Sequence, residues 1–159
     1  MEALNFPPTG PFDVRRRDER AFILDAVRRK HVRLTPEEWV RQHLVRFLVE
    51  TLGYPLGLLA VEKAFATSAG PRRADLVAYS RDGRPRLIAE CKAPSVKITQ
   101  AVFDQVSRYN TVTLAPHLLV TNGHEHYCWV VDRAASTYRF LDAIPLFPVL
   151  TGTHARDTD

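Results

Sequence analysis

The chain has 159 residues, 45% of them hydrophobic and 25% charged, with a net charge of +4 and a pI of about 9.3. This length and composition predict one globular domain over residues 1–150, followed by a tail, residues 151–159, that we expect to be disordered. The basic excess mildly favours an anionic partner such as nucleic acid.

Cysteine usage and hydropathy exclude several other classes of protein. The two cysteines, Cys91 and Cys128, form no CxxC pair, which argues against a disulfide scaffold and against a thiolate zinc site. The sequence has no signal-peptide core and no run of the ~20 apolar residues that a membrane span needs. We therefore expect a protein without a membrane partner that works in the reducing cytoplasm of a prokaryotic cell.

The first 34 residues predict an arm and a basic segment rather than a helix. Residues 1–14 are rich in Pro, Gly and Phe, and we expect them to lie over the domain. Residues 15–33 contain eight basic and three acidic side chains, with short strands expected near residues 22–24 and 32–34. Such a charge run is more often a solvated face than a dedicated DNA-binding stripe.

The first predicted helix spans residues 36–52. Thr35 is a good N-cap, Pro36 suits the first helical position, and Glu38 completes a capping box. Apolar residues then repeat at helical spacing as far as Gly53, which ends the helix.

The rest of the chain predicts strands around a second helix. The six predicted strands are residues 58–65, 74–79, 86–91, 117–121, 125–131 and 137–141. The first three are apolar on both faces, as in a sheet covered by helices, and a helix over residues 99–110 follows them. This α-β-β-β-α-β order predicts an α/β fold with a mixed central sheet flanked by helices, plus an extra C-terminal hairpin.

The turn SRDGRP sets the pairing of the second and third strands. Asp82-Gly83 favours a two-residue hairpin loop. Continuing that pairing back along both strands places Asp75 directly opposite Glu90. A longer loop or a bulge at Pro85 would make the two acids diagonal neighbours instead, a position from which they could still share a metal.

Two opposed acids, Asp75 and Glu90, repel each other across neighbouring strands. A divalent cation would offset this repulsion, and Mg²⁺ is the natural candidate because it prefers carboxylate oxygens. Lys92 lies on the same strand face as Glu90 and could orient a metal-bound water. Cys91 faces the opposite, covered side. The alternative is a structural salt bridge, which leaves the second acid unexplained.

These residues resemble the D…(D/E)xK signature of the PD-(D/E)xK nuclease superfamily. The string from Arg72 to Asn110 and the later LLVTNG resemble the N-terminal nuclease domain of type I restriction enzyme restriction (R) subunits and its small stand-alone relatives, as does TPEEWVRQHL. The resemblance implies a restriction-endonuclease-like fold and endonuclease-type hydrolysis of DNA phosphodiester bonds. It also implies that Asp75, Glu90 and the Cys91 carbonyl bind Mg²⁺, for which Mn²⁺ can substitute.

The resemblance also implies supporting residues. Gln105 and Tyr109 match a Gln-x-x-x-Tyr motif that follows the ExK strand, and Gln105 would help to position a metal-bound water or the DNA backbone. Tyr109 could equally be a core residue. Relatives often use a further glutamate, for which Glu38, Glu62 and Glu50 are candidates, with Glu38 slightly ahead.

DNA is the expected partner. The basic residues that are candidates for binding it are Arg15, Arg16, Arg17, Arg72, Arg73, Lys97 and Arg108. A homodimer, or a protein partner that supplies specificity, is compatible with this interpretation. The sequence contains no GxxxxGK[ST] loop, so we do not expect the ATP-driven motor of complete restriction subunits.

Three other interpretations stay open. A catalytically inactive nuclease fold could bind DNA or protein, although the intact acid pair argues against it. A basic interaction protein acting through residues 15–33 predicts DNA affinity that is independent of metal. His124 and His126 share a strand face as two metal ligands could, but no third ligand is spaced to join them.

Overall fold

The computed structural model describes residues 1–150 and has an α/β architecture with two sheets. Residues 151–159, for which we expect disorder, lie outside the described residues. The first sheet is antiparallel and has the strand order β1-β2-β3. Its strands are β1 (Val14–Arg17), β2 (Arg20–Asp25) and β3 (Lys30–Arg33). The sequence predicted only the last two.

The second sheet has six strands in the order β4 to β9. These strands are β4 (Leu59–Thr67), β5 (Gly70–Tyr79), β6 (Pro85–Cys91), β7 (His117–Thr121), β8 (His126–Asp132) and β9 (Thr137–Leu141). All neighbouring strands are antiparallel except β6 and β7, which run parallel. A parallel pair needs a long crossover, and the helix between these two strands provides it. The predicted mixed sheet is confirmed.

Helices cover both faces of the large sheet. The helices are α1 (Pro36–Glu50), α2 (Gln100–Thr113) and a short α3 (Phe147–Leu150), with a 3₁₀ turn at Leu56–Leu58. Leu44 and Leu48 of α1 pack in one core cluster, and Val106 of α2 packs in another. Neither α3 nor the 3₁₀ turn was predicted. No helix within residues 1–150 is long and apolar enough to cross a membrane.

The β5–β6 ladder has the predicted register. Leu76 pairs with Ala89, and Ala78 pairs with Leu87. One step further along the same ladder, Asp75 stands across from Glu90. The sequence-derived pairing of the two acids is therefore correct in the strands themselves.

The loop that joins these strands differs from the prediction. Ser80 N donates to Arg84 O at 2.9 Å, so the loop contains the three residues 81–83 rather than two. A bulge next to Tyr79, which pairs with Pro85, then restores the register. Proline lacks the N–H that a regular ladder would need, which makes this a suitable place for a bulge.

The two long helices begin at threonines that act differently. Thr35 Oγ1 accepts a hydrogen bond of 3.1 Å from Glu38 N at the start of α1. The Glu38 carboxylate does not complete the predicted capping box, because it binds Arg28 and Gln42 instead. Thr99 makes no side-chain capping bond to α2, which lies wholly within the described range. Only the first threonine satisfies an otherwise free N–H.

This difference predicts unequal effects of two matching substitutions. Thr35→Ala removes the capping acceptor and should lower the free energy of unfolding by about 1 kcal/mol. Thr99→Ala is the control and should change it by only a few tenths, about 0.3 kcal/mol. Urea unfolding measures both, and equal losses would contradict the assignment of the cap to Thr35.

Candidate active site

Asp75, Glu90 and Lys92 come together where β5 and β6 run side by side. Asp75 Oδ2 accepts a hydrogen bond of 2.7 Å from Cys91 N. Lys92 Nζ donates to Glu90 Oε1 at 3.0 Å. The Cys91 side chain is fully buried in the opposite core cluster, so only its backbone belongs to the site.

Helix α2 adds an amide to this group. Gln105 Nε2 donates to Glu90 Oε1 at 2.9 Å, and Gln105 Oε1 accepts from Lys92 Nζ at 3.3 Å. Tyr109 is buried one turn later; burial raises its pKa, while interaction with Gln105 opposes that rise. Gln105 therefore contacts the candidate site directly and fixes two of its charged groups, while Tyr109 interacts with Gln105.

Glu90 has an unusual environment for an acid. Its residue is 5% exposed, and burial together with the nearby charge of Asp75 raises the Glu90 pKa from 4.5 to about 7. The Asp75 carboxyl can pair with Glu90 only while one of the two acids is protonated, which is a further cause of the raised Glu90 pKa. Lys92 and Gln105 both bind Oε1, whereas Oε2 is buried and accepts no hydrogen bond from a donor among the described residues. A buried polar atom without a partner is costly, so this oxygen is available to a ligand.

The pKa values of Asp75 and Lys92 are also shifted by burial and by neighbouring charges. Burial raises the pKa of Asp75, although the Cys91 amide and the charge of Arg41 oppose the rise. Burial lowers the pKa of Lys92, but the hydrogen bond to Glu90 and the surrounding acids outweigh this and raise it overall. Lys92 is therefore an ammonium ion at neutral pH and acts as a donor.

A buried arginine, which the sequence analysis did not single out, joins the acids of the site. Arg41 of α1 has a side chain that is only 3% exposed. It binds Glu62 Oε1 at 2.8 Å, Asp75 Oδ1 at 3.4 Å and Glu38 Oε2 at 3.4 Å. The signal in the sequence was its spacing, because Arg41 lies three residues after Glu38 and shares its helix face.

Glu62 extends the row of acids onto a third strand. It lies across from Asp75, between the pairs Val61–Leu76 and Lys63–Ala74. Its backbone is left-handed, with φ at 54°, which is rare for a residue with a side chain.

The Glu62 carboxylate is held by two arginines. Arg41 and Arg73 both donate to it at 2.8 Å. These two arginines outweigh the effect of burial and lower the pKa of Glu62. Glu62 is therefore present in the row of acids, but its charge is already neutralised.

The glutamates of α1 occupy three different environments. Glu38 is buried and bound by Arg28 and Gln42, and Glu50 accepts a hydrogen bond of 2.8 Å from Thr9 at the far end of the helix. Glu37, which the sequence analysis assigned no role, has a side chain that is 45% exposed. Burial and the charge of Asp75 raise its pKa. Glu37 is thus the α1 glutamate whose pKa is affected by Asp75 and whose carboxylate has only a long ion pair, 3.7 Å, with Arg41.

The candidate DNA-binding residues form two groups. Arg72 and Arg73 begin β5, Lys97 lies in the loop after β6, and Arg108 lies on α2; all four are exposed. Arg15, Arg16 and Arg17 form most of β1 in the separate small sheet and are also exposed.

The histidine pair near residue 124 contacts the N-terminal arm. His124 Nε2 lies 2.7 Å from Glu2 Oε1, and His126 Nε2 lies 2.7 Å from Asn5 O. These bonds agree with an arm laid over the domain. Within residues 1–150 no three His, Cys, Asp or Glu side chains surround a common metal position.

Comparison with known proteins identifies the family of this chain. Residues 36–145 match the family described as type I restriction enzyme R protein N terminus. A comparison with curated protein sequences finds no match.

Among solved structures, the fold is similar to a fragment of the protein described as the HsdR subunit of a type I restriction enzyme from Vibrio vulnificus YJ016. The similarity has a TM-score of 0.52 at 20% identity over 76% of this chain, and it spans 26% of that chain. The fold is therefore shared, while the HsdR chain is much longer. Because the family match covers more than half of its residues, the chain belongs to the family of type I restriction enzyme R protein N termini.

Proposed function

We propose that this chain is a Mg²⁺-dependent DNA phosphodiesterase of endonuclease type. The observation that carries the proposal is the buried Glu90 Oε2, which lacks a partner beside a second acid, Asp75, and a charged Lys92. Membership of the restriction-subunit family supports a nuclease domain and DNA as the substrate. The chain contains no GxxxxGK[ST] loop, so we propose that cleavage does not need ATP hydrolysis by these residues.

The residues present fit a hard divalent cation. Asp75 and Glu90 would supply carboxylate oxygens and Cys91 its carbonyl oxygen, and these are the ligands that Mg²⁺ and Mn²⁺ prefer. A cation would also remove the cost of ionising Glu90, because it binds the charged form of the acid. When bound, the metal would polarise the phosphodiester and acidify a water molecule.

The protein groups would prepare the substrate for attack. Lys92 is held between Glu90 Oε1 and Gln105 Oε1, which directs a fixed positive charge to where negative charge develops on phosphate. Gln105 also fixes the orientation of Glu90, and the Cys91 amide fixes Asp75. These contacts hold the acids in place, so little rearrangement is needed on substrate binding.

For the additional glutamate, we propose Glu37 rather than Glu38 or Glu62. Glu62 accepts a short hydrogen bond on each carboxylate oxygen. Glu38 accepts two on Oε1, and its Oε2 lies 3.4 Å from the Arg41 guanidinium. The ion pair of Glu37 with Arg41 is longer, at 3.7 Å. This replaces the order of preference that the capping pattern suggested.

A catalytically inactive DNA-binding module is the main alternative. Two buried acids that face a polyanion would weaken such binding through like-charge repulsion. We therefore propose cleavage as the activity, with DNA as substrate and any further subunit as a source of specificity.

A cleavage assay tests the proposed function directly. Supercoiled and linear DNA should be cut in Mg²⁺ or Mn²⁺ but not in EDTA. Glu90→Ala and Lys92→Ala should each slow cutting by on the order of 100-fold or more, because each removes a group that would act on the reacting phosphate.

Matched controls come from the exposed surface. Glu125→Ala and Arg139→Ala remove a negative and a positive charge from exposed positions away from the site and should leave the cutting rate unchanged. Cleavage that survives both site substitutions would indicate a contaminating nuclease. If the wild type cuts no DNA under any metal condition, the inactive DNA-binding module is favoured.

The raised pKa of Glu90 predicts a pH-dependent stability in EDTA. Because the folded-state pKa is about 7 and the ordinary value is 4.5, the folded state favours the protonated acid. Its contribution is complete below pH 4.5 and is lost as the pH rises to about 7. Relative to Glu90→Gln, the wild type should lose up to about 3 kcal/mol of unfolding free energy over that range.

Urea unfolding at a series of pH values measures this difference, with Glu125→Gln as the control. Mg²⁺ added above pH 7 should stabilise the wild type and have little effect on Glu90→Gln. A difference between wild type and Glu90→Gln that stays constant with pH would contradict the proposed environment of Glu90.

A further inference from the structure

The small N-terminal sheet holds the excess positive charge of the protein. Residues 15–33 contain eight basic and three acidic side chains, a net charge of +5, whereas the whole chain carries +4. The remaining residues together therefore carry a net charge of −1. This segment lies outside residues 36–145, the part that matches the restriction-subunit family.

Strand pairing concentrates that charge on one face. Arg15, Phe22 and Arg33 stand side by side across the three strands, and Arg17 stands opposite Arg20. Side chains alternate along a strand, so these five residues share a face. An aromatic ring thus lies on a face that carries four arginines.

The opposite face of this sheet packs against the protein. Ile23 is fully buried and Asp25 is buried beside it. The arginine face is therefore the outer one, which is available to a ligand. Arg16 belongs to the inner side by alternation, so the outer face is a different set from the run Arg15–Arg17.

The charges of the outer face are mostly unneutralised. Arg15 has an ion pair of 3.2 Å with Asp13, but Arg17, Arg20 and Arg33 have no acidic partner within residues 1–150. Like charges directly opposite each other in a sheet are destabilising. A polyanion bound across the three strands would reduce the repulsion among these arginines.

The outer face also has a suitable shape. A groove of about 290 Å³ lies beside β1 and is lined by Arg15, Arg16, Arg17, Phe22 and His31. Arg16 reaches it from the edge strand, whereas Arg20 and Arg33 extend the positive face beyond its lining. A half-buried aromatic ring between cations fits an unpaired base, which stacks on the ring while the arginines bind the flanking phosphates. We propose that this face, Arg15, Arg17, Arg20, Phe22 and Arg33, binds a single strand of DNA.

Ion pairs connect the small sheet to the candidate active site. Arg28, in the turn between β2 and β3, binds Glu38 at 2.9 Å, and Glu38 lies 3.4 Å from Arg41. Arg41 in turn binds Asp75 at 3.4 Å. These ion pairs fix the position of the small sheet relative to the site, so a DNA strand bound to the sheet would be held near Asp75 and Glu90. The inference rests on the proposed function for DNA as the ligand.

Fluorescence anisotropy of labelled oligonucleotides, about 16 nucleotides long, tests the inference in EDTA, where no cutting is expected. The triple variant Arg17→Ala, Arg20→Ala, Arg33→Ala should weaken single-strand binding on the order of 100-fold at 0.1 M salt and reduce the salt slope by about 2. The control Arg81→Ala, Arg84→Ala, Arg139→Ala removes equal charge from other exposed positions. It should change affinity by less than about threefold.

Phe22→Ala separates base stacking from charge. It should weaken single-strand binding by about tenfold and duplex binding much less, because paired bases cannot stack on the ring. Equal losses in the two triple variants, equal effects of Phe22→Ala on single strand and duplex, or tighter arginine-dependent binding of RNA would each overturn the inference. Single variants Arg17→Gln and Arg33→Gln, each lowering the slope by about 0.7, give the same test if the triple variant does not fold.

The outcomes distinguish this inference from the proposed function. Glu90→Ala should bind the oligonucleotides as the wild type does. If the arginine variant loses binding while the wild type never cuts DNA, the binding face stands and the nuclease proposal fails. If cutting is normal and the arginine variant binds like its control, the binding face fails and the nuclease proposal stands.

Discussion

The repulsion between Asp75 and Glu90 is the constraint on which the rest of the site depends. The ladder between β5 and β6 places the two acids across from each other, and burial makes the repulsion strong. Each neighbouring contact reduces part of it. The Cys91 amide and Arg41 bind Asp75, and Lys92 binds Glu90. One oxygen, Glu90 Oε2, keeps no partner in the described chain, which is why a cation is the simplest completion.

Arg41 neutralises one end of the row formed by Glu62, Asp75 and Glu90 more than the other. Glu62, across from Asp75 on β4, already shares Arg41 with it, so the positive charge on that side is part of the protein. The side of Glu90 has only Lys92. The same arginine connects, through Glu38, to the turn of the basic N-terminal sheet. The candidate active site and the basic N-terminal sheet are therefore joined by one network of ion pairs.

Local patterns predicted the frame of the protein. The apolar strands and the register of Asp75 and Glu90 follow from periodicity and pairing, which depend on neighbouring residues, whereas the role of Gln105 was implied by the family resemblance. The sequence allowed for a longer loop or a bulge at Pro85 and predicted that either would shift the two acids to a diagonal position. The structure has both, and the bulge compensates for the extra residue, so the register is kept. Spacing on α1 relates Arg41 to Glu38, but the contacts of Arg41 with Glu62 and Asp75 join elements that are distant in sequence, and no local pattern predicts them.

Anomalous diffraction from crystals soaked in Mn²⁺ is the most direct test of the central claim, because Mn²⁺ is a close substitute for Mg²⁺ with a measurable signal. The account predicts a peak bound by Asp75, Glu90 Oε2 and the Cys91 carbonyl, with Glu37 nearer to it than Glu38 or Glu62. It also predicts that the peak disappears in Glu90→Gln. A peak elsewhere, or no peak at these residues, would contradict the proposed metal site.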